Sequence, residues 1–173
     1  MMSGRRLFSG LLLAGCFILG AGCAGTGGSG APETPEGELS RIVARLFAAY
    51  EREDASALLA LVGSAFVSGD SSGNGYRYAD VPRALADDFE GLERIRFNVK
   101  IDPPLVQAGG NEAQVAVEWG RRAFHVEEGE ERVVSERRST IHLAREGEGG
   151  MWRIVAVYGE PIFALSNREG RIP

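Results

Sequence analysis

Residues able to do chemistry are few in this chain, and their spacing limits what they could do. Two histidines, His125 and His142, stand 17 residues apart, and both cysteines, Cys16 and Cys23, fall near the N-terminus. Imidazole is the side chain best suited to proton transfer near neutrality, so the two histidines are the candidate general bases. Tyr50 is the candidate phenol donor. Neither the histidine spacing nor the cysteine positions match a metal-ligand pattern, so no metal and no other cofactor is expected. Two glycine motifs carry no chemistry here. Gly25-Thr26-Gly27-Gly28-Ser29-Gly30 has the dinucleotide-binding spacing, but that motif works between a strand and a helix N-terminus, and here Pro32 follows. Gly69-Asp70-Ser71-Ser72-Gly73 has nucleophile-elbow spacing, yet Asn74-Gly75 and Tyr76-Arg77-Tyr78 follow, the signature of a hairpin and not of a helix.

Those residues must be positioned by a single domain. Thr34-Pro35 reads as a helix start, and Leu39, Ile42, Val43, Leu46, Phe47 and Tyr50 then recur as one apolar stripe over about 17 residues. Asp54 is expected to cap a second helix through Ala55–Val62, and Asp80 a third running to about Phe89, with a hairpin of Phe66-Val67 and Tyr76-Arg77-Tyr78 between them. From Glu93 the period changes to two. Ile95, Phe97, Val99 and Ile101 form one alternating run and Val115, Val117 and Trp119 another. Val133–Leu143 and Met151–Tyr158 are two more strands. Such alternation predicts an antiparallel sheet with one face buried against helices, an α+β domain. On that buried face stand Ile95, Phe97, Val99, Val115, Val117, Trp119, Trp152 and Ile154, none of which titrates. The opposite face shows Arg94, Arg96, Glu118, Arg138, Val155 and Val157.

The first 30 residues differ from the rest. Arg5 and Arg6 precede the apolar run Leu7–Leu19, small residues lead to a cysteine, and no acid occurs before Glu33. The apolar run is too short to span a bilayer and reads as a targeting segment. It resembles a bacterial lipoprotein signal, in which a cysteine after a small-residue box is lipidated and becomes the first residue. Cys23 is the expected site and Cys16 the alternative. Leu13-Ala14-Gly15-Cys16 is the closer match to the box, but cleavage there would leave Phe17-Ile18-Leu19 unburied at the mature terminus. After Cys23, residues 24–32 form a polar tether. The resemblance implies a membrane partner through the lipid anchor and, with Ala24 after the cysteine, an outer-membrane location facing the periplasm.

Charge excludes one partner class. The chain carries 19 basic and 24 acidic residues, a formal charge of -5, and without residues 1–22 it has 17 basic against 24 acidic. Scattered arginines on an acidic domain offer nucleic acid no footprint. Lys100 is the only lysine.

The order helix, helix, hairpin, helix, four long strands resembles the nuclear transport factor 2-like (SnoaL-like) superfamily over about residues 35–160. The resemblance is carried by residues 46–54 (LFAAYERED), by Ala65-Phe66-Val67 after the second helix, and by Trp152-Arg153-Ile154 opening the last strand. It implies a cone-shaped barrel, a curved sheet wrapped on the long first helix, with residues 161–173 as a tail. It implies a pocket lined by Tyr50, Phe97, Val117, Trp119, Trp152 and Tyr158, open to a small apolar ligand, and a homodimer through the sheet's outer face. Its catalytic members often carry a histidine four or six residues after the last-strand tryptophan, where this chain has Ala156 and Tyr158. The reading that follows is a non-catalytic binding domain for a small apolar ligand or a partner protein. Alternatives are an acid–base lyase or isomerase using His125 or His142 with Tyr50, or a structural assembly component with a self-filled cone. His142 points outward if Glu128-Gly129-Glu130 forms the hairpin loop and inward if Gly129-Glu130 alone turns. His125 is expected at the rim or surface. Tyr50 is expected to send its hydroxyl to solvent.

Overall fold

The computed structural model describes residues 34–69, 75–147 and 150–163, all within the unit Pro32–Pro173. The leader, both cysteines and the tether lie outside them, as does the tip of the first hairpin, and so do residues 164–173. Helix α1 spans Pro35–Glu51. The Thr34 hydroxyl accepts from the Gly37 N–H at 3.1 Å, which satisfies one of the orphan donors of the first turn. The predicted stripe is the buried one, with Leu39, Val43, Leu46 and Tyr50 wholly inside. Each large apolar side chain removed from water in this way contributes roughly 1.5–3 kcal/mol before conformational entropy is counted. Helix α2 is shorter than expected, Ala55–Leu59, capped by the Asp54 carboxylate on the Ala57 N–H at 2.9 Å. It stops because Val62 already pairs with Ile154 as a strand. Helix α3, Val81–Gly91, follows a short 3₁₀ turn. Asp80 does not cap it as expected, since its carboxylate accepts from the Arg77 N–H at 2.9 Å.

The strands are β1 Val62–Gly69, β2 Gly75–Arg77, β3 Leu92–Ile101, β4 Leu105–Val106, β5 Glu112–His125, β6 Glu130–Glu146 and β7 Met151–Gly159. They form one sheet in the order β2-β1-β7-β6-β5-β3, with β4 on β5. The sheet is mixed and not wholly antiparallel, because β1 runs parallel to β7. No periodicity announces that pairing, which depends on a long crossover. The α+β class and the curved sheet packed on α1 are as expected.

Three bulges decide which side chains face the helix. In the β5–β6 hairpin His125 opposes Glu130, so Val126–Gly129 is the loop and neither predicted loop forms. Farther along, Arg121 opposes Val134 while Trp119 opposes Arg137, so β6 holds one extra residue, with Glu136 at φ +53°. A single extra residue reverses every side chain beyond it. His142 therefore opposes Gln114 and faces outward, whereas without the bulge it would oppose Ala113, which is buried. A second bulge lies in β7, where Leu143 opposes Ile154 but His142 opposes Ala156. Val157, expected on the outer face, is thereby buried opposite Ile141, and Tyr158, expected in the pocket, is 46% exposed opposite Thr140. The third bulge, in β3 near Arg94, leaves β5 regular, so Ala113, Val115, Val117, Trp119, Arg121, Ala123 and His125 all point inward.

The core continues past the last strand. Gly159 adopts φ +91°, where an added Cβ would lie 2.8 Å from the Arg138 carbonyl oxygen, and the chain turns so that Ile162 and Phe163 are buried.

Candidate functional site

Three polar side chains meet the interior of the apolar cone. The final turn of α1 places Tyr50, α3 places Asp88, and β5 places Arg121, with exposures of 0%, 0% and 3%. The Tyr50 hydroxyl, expected to reach solvent, donates instead to Asp88 Oδ2. Burial, then the Asp88 charge and its hydrogen bond, push the Tyr50 phenol well above its ordinary value, while Arg121 acts in the opposite direction. The phenol is thus a neutral donor and the carboxylate its acceptor. Around them runs an aromatic collar. The Tyr50 ring meets Phe89 at 5.3 Å, Phe97 at 5.6 Å and Phe163 at 6.3 Å between centroids, and Phe97 continues to Trp119 at 6.0 Å. The Phe97 N–H donates to Glu51 Oε1 at 2.6 Å, which fastens β3 to the end of α1. Trp119 Nε1 donates to Ser139 Oγ at 2.9 Å, and that hydroxyl donates to the Glu160 carbonyl at 2.6 Å. The Trp119 indole is thereby fully committed to holding strands together.

Of the expected pocket residues, Tyr50, Val117, Trp119 and Trp152 are buried and Phe97 is half-buried, all within one continuous packed core, while Tyr158 is outside it. His125, expected at the rim or surface, points inward, and of the two directions open to His142 the outward one is found. His125 is 7% exposed and stands opposite Leu92, with Nδ1 3.9 Å from Glu128 Oε2. That separation exceeds hydrogen-bond range. His142 lies on the outer face, edge-on to Tyr158 at 4.9 Å, and partial burial lowers its pKa, with Glu112 opposing. Among the described residues no group of three His, Cys, Asp or Glu side chains converges as a metal site would.

Asp88 and Arg121 are the functional candidates that composition conceals. Asp88 stands seven residues after Val81 on the stripe Val81, Ala84, Leu85, and only a helical phase count reveals it. Arg121 shares the parity of Trp119 and Ala123, although Arg121-Arg122 reads as an exposed pair.

Open volume lies on the outer face of the sheet. One groove of about 710 Å³ has Gly120 among its lining residues and is flanked by Arg96, Arg122, Val133, Ser135 and Glu136. A smaller one of about 310 Å³ lies between Lys100, Asp102, Arg138, Thr140 and Tyr158. Glu118 borders both. It accepts from Arg138 Nε at 2.9 Å and from Lys100 Nζ at 3.4 Å, and Arg138 foremost holds its carboxyl below the usual range. Arg96 and Arg122 are directly opposed across β3 and β5, a like-charge pairing offset by Glu131, whose Oε1 lies 3.5 Å from Arg122 Nε, and by the Ile95 carbonyl, which accepts from the Arg96 guanidinium at 2.7 Å.

The buried phenol fixes a pH dependence. Its pKa is higher folded than unfolded, so its contribution to stability is complete below the unfolded value of about 10 and is lost as pH rises toward the folded value. The protein is expected to lose stability above about pH 10 by urea titration, and Tyr50→Phe is expected to flatten that decline. An unchanged alkaline slope in Tyr50→Phe would refute the assignment.

No protein-family model matches the chain, and no curated protein matches it. Solved structures do. A ketosteroid isomerase-like protein from Erwinia carotovora atroseptica aligns with TM-score 0.63 at 13% identity, over 73% of this chain and 95% of that one. A nuclear transport factor 2 superfamily protein from Salmonella enterica serovar Typhimurium aligns with TM-score 0.61 at 17% identity, over 73% and 89%. A protein of unknown function in nutrient uptake from Rhodospirillum rubrum aligns with TM-score 0.55 at 19% identity, over 72% and 98%. At such identities the likeness concerns architecture, and it agrees with the element order, the curved sheet and the helix it encloses: the domain has the nuclear transport factor 2-like fold.

Proposed function

We propose that this protein is a cell-envelope lipoprotein, anchored through Cys23, whose domain is a non-catalytic binding module engaging a partner protein through the outer face of its sheet. The observation that carries this reading is the contrast between the two faces. The cone is packed by Tyr50, Phe66, Trp119 and Phe163, while the outer face carries the grooves, the Glu118 ion-pair cluster and the exposed apolar side chains Val133 and Tyr158. A small apolar ligand, the other expected occupant, finds charged walls on that face. Of the two candidate bases, His142 lies on the outer face and not in the cone, which disfavours it as a base acting there. The groove mixes Arg96 and Arg122 with Val133, a combination suited to a protein interface with a polar rim. A second copy of the chain is one partner such a surface accommodates.

Lys100 offers a direct test. Its side chain is 73% exposed beside Glu118 at the junction of the two grooves. With the Cys23 amino group acylated, Lys100 would hold the only primary amine of the mature chain. Treatment of intact cells with an amine-reactive bifunctional cross-linker is expected to give one discrete adduct that Lys100→Arg abolishes. Absence of any Lys100-dependent adduct from a folded, anchored protein would contradict the proposal.

A further inference from the structure

The segment after β7 belongs to no helix or strand, yet it supplies one of the largest fully buried side chains. Gly159 turns the chain, the Glu160 N–H donates to the Arg138 carbonyl at 3.1 Å, and the Glu160 carbonyl accepts from Ser139 Oγ. Beyond that clamp, Pro161, Ile162 and Phe163 run inward. The Phe163 ring stacks on Tyr50 at 6.3 Å with 28° between planes, and meets Phe66 edge-on at 5.7 Å. Tyr50 and Phe66 thus form a slot for one planar ring. Behind the slot stands the Tyr50–Asp88 pair, with the Arg121 charge felt at the phenol. Packing alone does not call for polar groups there. Well-packed apolar residues in place of a buried charged network are often neutral or stabilising, and buried titratable clusters are concentrated at sites that bind or react.

We propose that Phe163 is an intramolecular occupant of an aromatic-ring site in the cone, and that a ligand presenting a planar aromatic ring takes its place by displacing the segment Pro161–Phe163. The displaced unit lies outside the sheet's hydrogen-bond ladder, so it can open without breaking a strand pair, at the cost of exposing Ile162 and Phe163. Apparent affinity is then the intrinsic affinity reduced by the fraction of molecules in which the slot is open. This site lies in the cone, apart from the grooves of the outer face.

The test uses p-cresol as the probe and the folded mature protein, with binding followed by saturation-transfer NMR and amide exchange followed by mass spectrometry. Wild type is expected to bind p-cresol, and binding is expected to speed exchange in the peptide covering 160–163 while leaving α1 unchanged. Phe163→Ala, freed of the competing ring, is expected to bind at least about tenfold more tightly. Phe163→Leu, which keeps most of the volume and loses the stacking, provides the same comparison if the alanine variant does not fold. Failure of wild type to bind p-cresol would overturn the proposal, as would binding with unaltered exchange at 160–163 or equal affinities for wild type and variant. Binding by Phe163→Ala alone would also overturn it, since that would be only the filling of an engineered hole.

Discussion

Asp88→Ala is expected to destabilise the domain by about 3–5 kcal/mol, because it removes the buried acceptor of the Tyr50 hydroxyl and a negative charge from an interior that also holds Arg121. Tyr50→Phe is expected to cost less, about 1–3 kcal/mol, since the carboxylate stays and only one hydrogen bond is lost. Two residues in one bonded pair do not act independently, so Tyr50→Phe combined with Asp88→Ala is expected to cost less than the sum of the single changes. Urea denaturation of the four proteins gives the comparison. For a domain of this size, the single change at Asp88 corresponds to a fall in Tm on the order of 10 °C. An Asp88→Ala variant within about 1 kcal/mol of wild type would show that the pair does not hold the cone together.

The second large effect concerns position in the cell. Cys23→Ser is expected to abolish membrane association of the mature protein, whereas Cys16→Ser leaves it intact. The physical basis is the acyl anchor: each buried CH₂ contributes about 0.8 kcal/mol, so two or three chains hold a soluble domain at a membrane and none does. Detergent partitioning measures the fraction attached, and mass spectrometry of the mature N-terminus identifies the modified residue. A membrane-bound Cys23→Ser protein, or an unmodified Cys23 in wild type, would transfer the role to Cys16 or remove it altogether.

Residues of regular period were legible in the sequence. The α1 stripe from Leu39 to Tyr50 follows from spacing alone, and the inward set Ile95, Val115, Val117, Trp119, Trp152 and Ile154 follows from alternation. What was hidden depends on single residues that break a period. The extra residue near Glu136 sends His142 out, the one at Val155 sends Tyr158 out and Val157 in, and no composition cue marks either. His125 was obscured for the opposite reason: its strand remains regular through Arg121-Arg122 because the extra residues lie on β3 and β6. Asp88 was hidden by its chemistry, a carboxylate on the apolar phase of α3, where an acidic pair with Asp87 suggests a solvated face. The parallel β1–β7 pairing needs a contact across most of the domain and has no local signature.

The working surface assigned to the sheet's outer face is tested most directly by reversing its charge while leaving the cone untouched. Arg96→Glu combined with Arg122→Glu alters two opposed side chains of the larger groove and no core residue. The measurement is the yield of the Lys100 cross-link in intact cells, alongside the Tm of each purified protein. The predicted result is loss of the adduct in the double variant at near wild-type Tm, and retention of it in His125→Ala and His142→Ala. An adduct that survives the charge reversal, or one that disappears in a folded His125→Ala variant, would contradict the assignment of function to that face.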